Sequence, residues 1–147
     1  MIIAAIALGI LVLVIAYIIK RARDRRELER YSITSEALHG LLASNQEVLI
    51  FDVRLPLDLL ADPQIIPGAK RISPHEVRAN PSLIPRDQDT IVYCTCPSDE
   101  TSRTILHKAL ALKFSRVKFL KGGLDGWRAK GYPVEPYVES FHLETAG

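Results

Sequence analysis

An uninterrupted apolar run near the start of the chain limits its architecture more than any other feature. The run IIAAIALGILVLVIAYII (residues 2–19) holds eighteen residues without a charge or a proline. As a helix at ~1.5 Å per residue it extends about 27 Å, close to the ~30 Å hydrocarbon core of a bilayer. The rest of the chain is too short to surround a helix that is apolar on every side. We therefore predict a transmembrane helix at residues 2–19, with the lipid bilayer as its partner.

The flanks of this run favour an uncleaved anchor over a signal peptide. A signal peptide has a basic segment before its apolar run and small residues at a cleavage site after it. Here the chain begins Met-Ile-Ile, and the run is followed by KRARDRR (residues 20–26). We expect a single-pass membrane protein.

The charge balance places the basic character next to the predicted span. Residues 20–30 carry six Lys or Arg against three Asp or Glu, and without this segment's +3 the chain's +2 becomes −1. We predict a basic juxtamembrane helix and linker at residues 20–31. By the positive-inside rule, the part that follows faces the cytoplasm. A remainder of −1 argues against a nucleic-acid partner.

Beyond the linker, apolar strands alternate with helical patterns. The runs EVLIFDV (47–53), TIVYC (90–94) and RVKFL (116–120) predict buried strands, because they are apolar at nearly every position. Such alternation predicts an α/β fold with a small, doubly wound, mostly parallel sheet and helices on both faces. Catalytic residues of such sheets lie beyond the carboxyl ends of the strands.

Shorter patterns complete the prediction. Thr34 is suited to cap a helix over residues 35–42, and Pro74 suits the first position of another. Trp127 is expected to anchor the last helix in the core. The remaining predicted elements are helices at 55–61, 102–113 and 124–131, a brief strand at 70–73, and a tail at 136–147 without a firm pattern.

Four pieces of sequence occur in a characteristic order: LIFDVR (49–54), IPGAKRI (66–72), IVYCTC (91–96) and RVKFLKGGLDGWRAKGYPV (116–134). In this order and spacing the chain resembles a rhodanese-like domain over residues 32–135. The resemblance implies a doubly wound α/β domain and sulfur transfer through a cysteine persulfide, of the thiosulfate or persulfide:thiol type. It implies no cofactor. Its partners would be a small sulfur donor or a protein persulfide or thiol acceptor, and the anchor would suit a membrane-protein partner.

Two cysteines compete for the role of nucleophile. Counted from the strand, Cys94 ends the apolar run as the resembled family's cysteine does. Counted back from the following helix and strand, Cys96 begins the loop without an insertion, and Thr101 and Ser102 match the family's hydroxyl positions. We favour Cys96, keep Cys94 as the alternative, and interpret Cys94 in the first case as a small core residue.

The segment after Cys96 departs from the family pattern. The resemblance makes it the loop that binds substrate and persulfide, but it lacks glycine and a basic residue, and two acids lie within it. Acids facing the thiol would raise its pKa and repel thiosulfate. In a first helical turn they would only complement the helix dipole. The loop consists of Pro97, Ser98, Asp99, Glu100, Thr101 and Ser102.

Four residues outside the loop are expected to support it. Asp52 and Arg54 follow a strand and are expected to tie its end to neighbouring loops, and Gly122 and Gly123 to form a tight turn beside the loop. The four histidines share no spacing that indicates a metal site. Arg103 lies seven residues after Cys96, which does not match the spacing of the related phosphatases.

Two other functions remain open. A catalytically inactive binding or regulatory module at the membrane is the alternative to a sulfurtransferase, because of the acidic loop. A redox sensor built on Cys94 and Cys96 is a lesser one. A structural disulfide is not expected in a reducing compartment, or across a single intervening residue. The sequence leaves the oligomeric state, the donor and the acceptor undefined.

Overall fold

The computed structural model describes residues 2–95 and 107–139, with side chains from residue 5 onward. The chain divides into two compact units, residues 1–30 and 31–147. The first unit is one helix, α1 (Ile2–Arg30), which joins the apolar run and the basic segment without a break. It is long and apolar enough to cross a membrane, and its side chains over residues 5–19 are exposed.

The second unit is built from short strands and helices. Its helices are α2 (Ser35–Ala43), α3 (Pro56–Ala61), α4 (Pro74–Ala79), α5, described over 107–111, and α6 (Gly123–Ala129), with a 3₁₀ turn at Pro81–Leu83. Its strands are β1 (Ser32–Ile33), β2 (Leu49–Asp52), β3 (Gln64–Ile65), β4 (Lys70–Arg71), β5 (Thr90–Tyr93), β6 (Val117–Leu120) and β7 (Glu135–Pro136).

A five-stranded parallel sheet forms the centre of this unit. Its strand order is β1-β6-β5-β2-β4, and β5 pairs with β2 and β6 in the middle. This confirms the predicted mostly parallel α/β fold. Strands β3 and β7 form a separate antiparallel pair. The sequence analysis missed β1, β3 and β7, because a two-residue strand is too short to show a period.

One face of the sheet packs against α2 and α6. Leu38 of α2 and Trp127 of α6 are at most 1% exposed and share a core with Ile50 and Ile91 of the central strands. The Trp127 indole donates a hydrogen bond to the Pro133 carbonyl at 2.7 Å. The predicted role of Trp127 as a core anchor is confirmed.

The opposite face is covered by α4 and α5. Val92, Val117 and Phe119 point to this side, where side chains of α4 and α5 line the same space. Helices therefore lie on both faces of the sheet, as the alternating pattern predicted.

Local polar contacts explain where two helices begin. Thr34 caps α2 by accepting a hydrogen bond from the Ala37 N–H at 3.2 Å. At α4, Ser73 accepts from the Glu76 N–H, and the Glu76 carboxylate accepts from the Ser73 N–H at 2.6 Å. This bond with Ser73 lowers the Glu76 pKa. The two contacts form a capping box, which satisfies N–H groups that the first turn leaves unpaired.

Candidate active site

The carboxyl ends of the central strands meet at one edge of the sheet. Strand β5 ends at Tyr93 and is followed by Cys94, while β2 ends at Asp52. Strand β6 ends at Leu120, and the glycine pair follows it. Because these strands are parallel neighbours, all three ends lie on the same side. This is the edge at which α/β domains of this kind place their active sites.

Gly123 packs against the start of the cysteine segment, which begins at Cys94, while Gly122 packs against Gly126 of α6. Both have positive φ angles, 74° and 55°, which L side chains rarely adopt. A Cβ atom on Gly123 would lie 2.2 Å from the Cys94 carbonyl oxygen. A residue with a side chain at position 123 would therefore displace the end of β5. The structure places Gly123 beside Cys94, and the predicted position of the glycine pair beside the candidate loop stays a prediction.

Cys94 occupies the junction between strand and loop. The Val53 N–H donates to the Tyr93 carbonyl at 3.0 Å, which extends the β2–β5 pairing to the residue before Cys94. Cys94 is half-buried and shares the α4–α5 face with Val92. Cys94 is disulfide-bonded, so the expectation that the chain forms no disulfide is wrong. The chain's other cysteine, Cys96, lies outside the described residues.

The candidate loop was predicted at residues 97–102, after Cys96. Cys96, Pro97, Ser98, Asp99, Glu100, Thr101 and Ser102 all lie outside the described residues, as does Arg103. The choice between Cys96 and Cys94, and the direction in which Asp99 and Glu100 point, therefore stay predictions.

A cavity of about 770 Å³ opens on the α4–α5 face beside Cys94 and Thr95. Its walls are mainly apolar. Charged groups reach it from three helices: Asp58 of α3, Arg78 of α4 and Lys108 of α5. Its apolar walls include Val53, Leu55, Val77, Ile84, Phe114 and Phe119.

Asp58 contacts the residue between the two cysteines. The Thr95 hydroxyl donates a hydrogen bond to the Asp58 carboxylate at 2.8 Å. The sequence analysis missed this contact. An aspartate in the first turn of a predicted helix is usually explained by the helix dipole, and nothing local marks a partner 37 residues away in the sequence.

Asp52 and Arg54 form a buried ion pair at the end of β2. Asp52 is 0% and Arg54 1% exposed, and the Arg54 guanidinium donates to both Asp52 carboxylate oxygens at 2.6–3.0 Å. Arg54 also donates to the carbonyls of Asp62 and Gln64, at 3.1 and 2.7 Å. Burial works to lower the Arg54 pKa, but the Asp52 hydrogen bond and charge leave it raised. The pair ties the end of β2 to the segment between α3 and β3.

Tyr93 stands beside this pair and stays neutral. It is 1% exposed, and its hydroxyl accepts a hydrogen bond from the Ile66 N–H at 3.3 Å. Burial, followed by the nearby Asp52 charge, raises the Tyr93 pKa. The Arg54 guanidinium lies over its ring at 5.9 Å. Tyr93 is thus part of the scaffold under the cysteine segment, not an acid or base near neutral pH.

Within the described part of residues 31–139, no three His, Cys, Asp or Glu side chains come together at metal-ligand distance.

Comparisons with known proteins agree with this architecture. The family profile described as Rhodanese-like domain matches residues 34–130. A protein named "Sulfurtransferase" from Allochromatium vinosum is 31% identical over 102 residues, which cover 69% of this chain and 92% of that protein. The solution structure of the rhodanese-like domain of the Anabaena protein Alr3790 is 26% identical, with a TM-score of 0.60, over 80% of this chain and 87% of that one. A Lactobacillus plantarum protein of 17% identity shares the fold, with a TM-score of 0.63 over 80% of this chain and 97% of its own.

Proposed function

The chain belongs to the rhodanese-like domain family, and on that premise we propose that it is a membrane-anchored sulfurtransferase that carries sulfur as a persulfide on Cys96. One observation carries the proposal. A cysteine segment sits on the carboxyl end of the central strand, in a chain 31% identical to a sulfurtransferase across 92% of that protein. The anchor is α1, and the catalytic domain faces the cytoplasm.

The proposed chemistry consists of two displacements. The Cys96 thiolate attacks the outer sulfur of a donor; a new S–S bond forms at Cys96, and the donor leaves as sulfite from thiosulfate or as a thiolate from a persulfide. An acceptor thiolate then attacks the outer sulfur of the Cys96 persulfide and regenerates the thiolate. Neither step consumes an oxidant. The disulfide at Cys94 must be reduced before the cycle starts.

The surroundings of Cys94 support Cys96 as the nucleophile. The Cys94 carbonyl is held against Gly123, and the residue lies in line with Val92 on one face of the sheet. Such a position belongs to the strand scaffold, whereas a persulfide needs a loop whose N–H groups surround the sulfur. We propose that Pro97–Ser102 form that loop and that Thr101 and Ser102 donate hydrogen bonds into it.

Site-resolved mass spectrometry tests this proposal. The full chain in detergent micelles is reduced, freed of reductant, and incubated with thiosulfate or with glutathione persulfide. We expect the mass of one added sulfur atom on the peptide that contains Cys96. The adduct should be lost in Cys96→Ser and retained in Cys94→Ser, because a persulfide forms on a cysteine thiolate and a serine hydroxyl has no sulfur to carry it. An adduct that survives in Cys96→Ser and disappears in Cys94→Ser would reverse the assignment.

A catalytically inactive binding or regulatory module at the membrane is the second candidate. The acidic, glycine-free segment CPSDETS (residues 96–102) favours it, because inward-facing carboxylates oppose a thiolate. If neither donor adds sulfur to the reduced chain, this candidate replaces the first. Cellular function that persists in the Cys94→Ser/Cys96→Ser double variant would support it further.

A further inference from the structure

Helix α3 exposes its apolar residues. Leu57 and Leu60 are 69% and 56% exposed, and Leu55, which precedes the helix, is 58% exposed. Among the leucines at positions 55–60, only Leu59 is buried. A surface helix of a soluble domain ordinarily buries its apolar stripe and exposes its polar one. We call the exposed group Leu55, Leu57 and Leu60 the α3 leucine patch.

The acidic residues of α3 are held by contacts with other elements. Asp58 accepts the hydrogen bond from Thr95 at 2.8 Å. Asp62, at the end of the helix, accepts two hydrogen bonds from the Arg128 guanidinium, at 2.5 and 2.7 Å. Both carboxylates that could solvate the helix are therefore engaged elsewhere, and the outward face is left to the α3 leucine patch.

The α3 leucine patch borders the cysteine edge of the sheet. Leu55 lines the same cavity as Cys94. Asp58, which lies between the leucines in sequence, holds Thr95 next to that cysteine. A molecule seated on the patch would therefore reach the cysteine segment.

The charges around the patch distinguish between two kinds of occupant. Asp58, Arg78 and Lys108 line the cavity beside Leu55, and the Asp62–Arg128 ion pair lies at the far end of α3. An anionic bilayer surface selects a predominantly basic rim around its apolar contacts. The rim carries both signs: Asp58 lines the cavity with Arg78 and Lys108, and two further cations, Arg54 and Arg128, are paired with Asp52 and Asp62. An apolar centre with a mixed polar rim is the anatomy of a protein–protein interface.

We propose that the α3 leucine patch docks a protein that delivers sulfur as a cysteine persulfide and presents aliphatic side chains beside that cysteine. The inference rests on the proposed sulfurtransferase function and names its donor class. In the transfer, the Cys96 thiolate attacks the outer sulfur of the partner's persulfide. An S–S bond forms at Cys96, the partner's S–S bond breaks, and the partner leaves as a thiolate.

Three persulfide probes test the inference on the reduced full chain in lipid nanodiscs. The first is a synthetic peptide whose cysteine is flanked by leucines, the second is the same peptide with serines in their place, and the third is glutathione persulfide. The rate of sulfur transfer is followed by mass spectrometry. We expect the leucine peptide to react about tenfold faster than the serine peptide, because partial burial of two leucines contributes on the order of 1.4 kcal/mol.

Paired variants separate docking from chemistry. Leu57→Gln/Leu60→Gln should lower the leucine-peptide rate to that of the serine peptide and leave the glutathione persulfide rate unchanged. Leu83→Gln is the matched control, because Leu83 is 43% exposed and does not line the cavity. Glutamine is a good helix former, and substitutions at exposed positions have little effect on stability. Trp127 fluorescence verifies that each variant is folded.

The outcomes distinguish the inference from the function on which it rests. If all three probes charge the wild-type chain at the same rate, docking at the patch is refuted and the sulfurtransferase stands. If no probe adds sulfur, both fall. Slower hydrogen exchange of residues 55–61 in nanodiscs than in detergent, without any peptide, would make the bilayer the occupant and overturn the proposal. A dimer that dissociates in the double variant would make a second copy the occupant and overturn it equally.

Discussion

At the scale of single residues, the scaffold of the candidate site depends on a buried ion pair and on a glycine, none of which another residue type could replace without a loss of stability. The Asp52–Arg54 pair is almost fully buried, and removal of one member of such a pair costs several kcal/mol, since it leaves an uncompensated charge. Gly123 is restricted by space as well as by its φ angle. The ion pair holds the end of β2, and Gly123 packs against Cys94, where the cysteine segment begins after β5.

Gly123→Ala is expected to disturb the cysteine segment. Its Cβ would contact the Cys94 carbonyl oxygen at 2.2 Å, and the φ of 55° costs an L residue about 1–2 kcal/mol even without a clash. We expect a fall in stability larger than that of Gly131→Ala, which has a φ of 73° but no atom within 4 Å. Urea unfolding of the full chain in detergent micelles, followed by Trp127 fluorescence, measures both.

Gly40→Ala completes this comparison. Gly40 lies in α2 with no atom within 4 Å of the added methyl group. Alanine there should stabilise the chain by about 0.5–1 kcal/mol. Equal losses for Gly123→Ala and Gly131→Ala would show that backbone strain alone, and not contact with Cys94, restricts position 123.

At the scale of elements, α3 links the cysteine edge to α6. Its first turn holds Thr95 through Asp58, and its end holds Arg128 of α6 through Asp62. Asp58 and Asp62 are thus engaged by other elements, while Leu59 is buried and Leu57 and Leu60 are exposed. The orientation of α3 therefore rests on the buried Leu59 and on polar partners from other elements, and it leaves two leucines exposed.

The Asp62–Arg128 link predicts a stability difference that depends on pH. The Arg128 hydrogen bonds lower the Asp62 pKa below its ordinary value. The link therefore stabilises the fold above the ordinary pKa of an aspartate, about 3.9, and its contribution is lost as the pH falls through the lowered value. Since Asp62 is 37% exposed, we expect Asp62→Asn to reduce the free energy of unfolding at pH 7 by up to about 1 kcal/mol.

Urea unfolding between pH 7 and about pH 3 checks this prediction, because the difference between Asp62→Asn and wild type should shrink as the pH falls. Asp125→Asn serves as the control, since Asp125 is 91% exposed and lies 3.7 Å from Arg128. A difference that stays constant down to low pH would mean that Asp62 acts through packing rather than charge.

At the scale of the whole molecule, the two units differ in composition and in architecture. The first, residues 1–30, is a single helix that offers only apolar side chains over its first part and basic ones at its end. The second carries the parallel sheet and the candidate active site. Strand β1 begins two residues after α1 ends.

The anchor predicts how the chain behaves in membranes. We expect the full chain to stay with the membrane fraction through alkaline carbonate extraction, and a variant without residues 2–19 to be released. The physical reason is that burial of apolar side chains stabilises insertion by roughly 0.3–0.6 kcal/mol for each central Leu, Ile or Val.

Protease access tests the orientation of the same anchor. In vesicles that expose the cytoplasmic face, protease should digest the domain, and in vesicles that expose the opposite face it should not. Digestion only in the second kind of vesicle would reverse the predicted topology, and release of the full chain by carbonate would remove the span.

Much of the fold could be predicted from the sequence, because its main elements leave local patterns. The apolar central strands, the Thr34 cap, the Pro74 helix start and the core position of Trp127 all follow from neighbouring residues. The two-residue strands β1, β3 and β7 could not be predicted, since each exists only because a distant partner pairs with it.

In the candidate site too, features encoded by neighbouring residues could be predicted and contacts between distant residues could not. The order of the motifs pointed to Cys94, Cys96 and the glycine pair, since their types and spacing are local. The hydrogen bond from Thr95 to Asp58 and the bond from Arg128 to Asp62 join residues 37 and 66 positions apart. No local pattern encodes such contacts, because they depend on which helix the sheet brings to its carboxyl edge.

The sequence by itself determined that the chain has a membrane-length apolar helix, a mostly parallel α/β domain and a cysteine segment after its central strand. These properties follow from apolar runs and turn residues, whose free energies are set by neighbours in the chain. Only the tertiary structure decided that Gly123 supports Cys94, that Asp58 holds Thr95, and that α3 exposes Leu57 and Leu60. Those outcomes depend on close packing and on polar pairs between distant segments, which exist only once the sheet has formed.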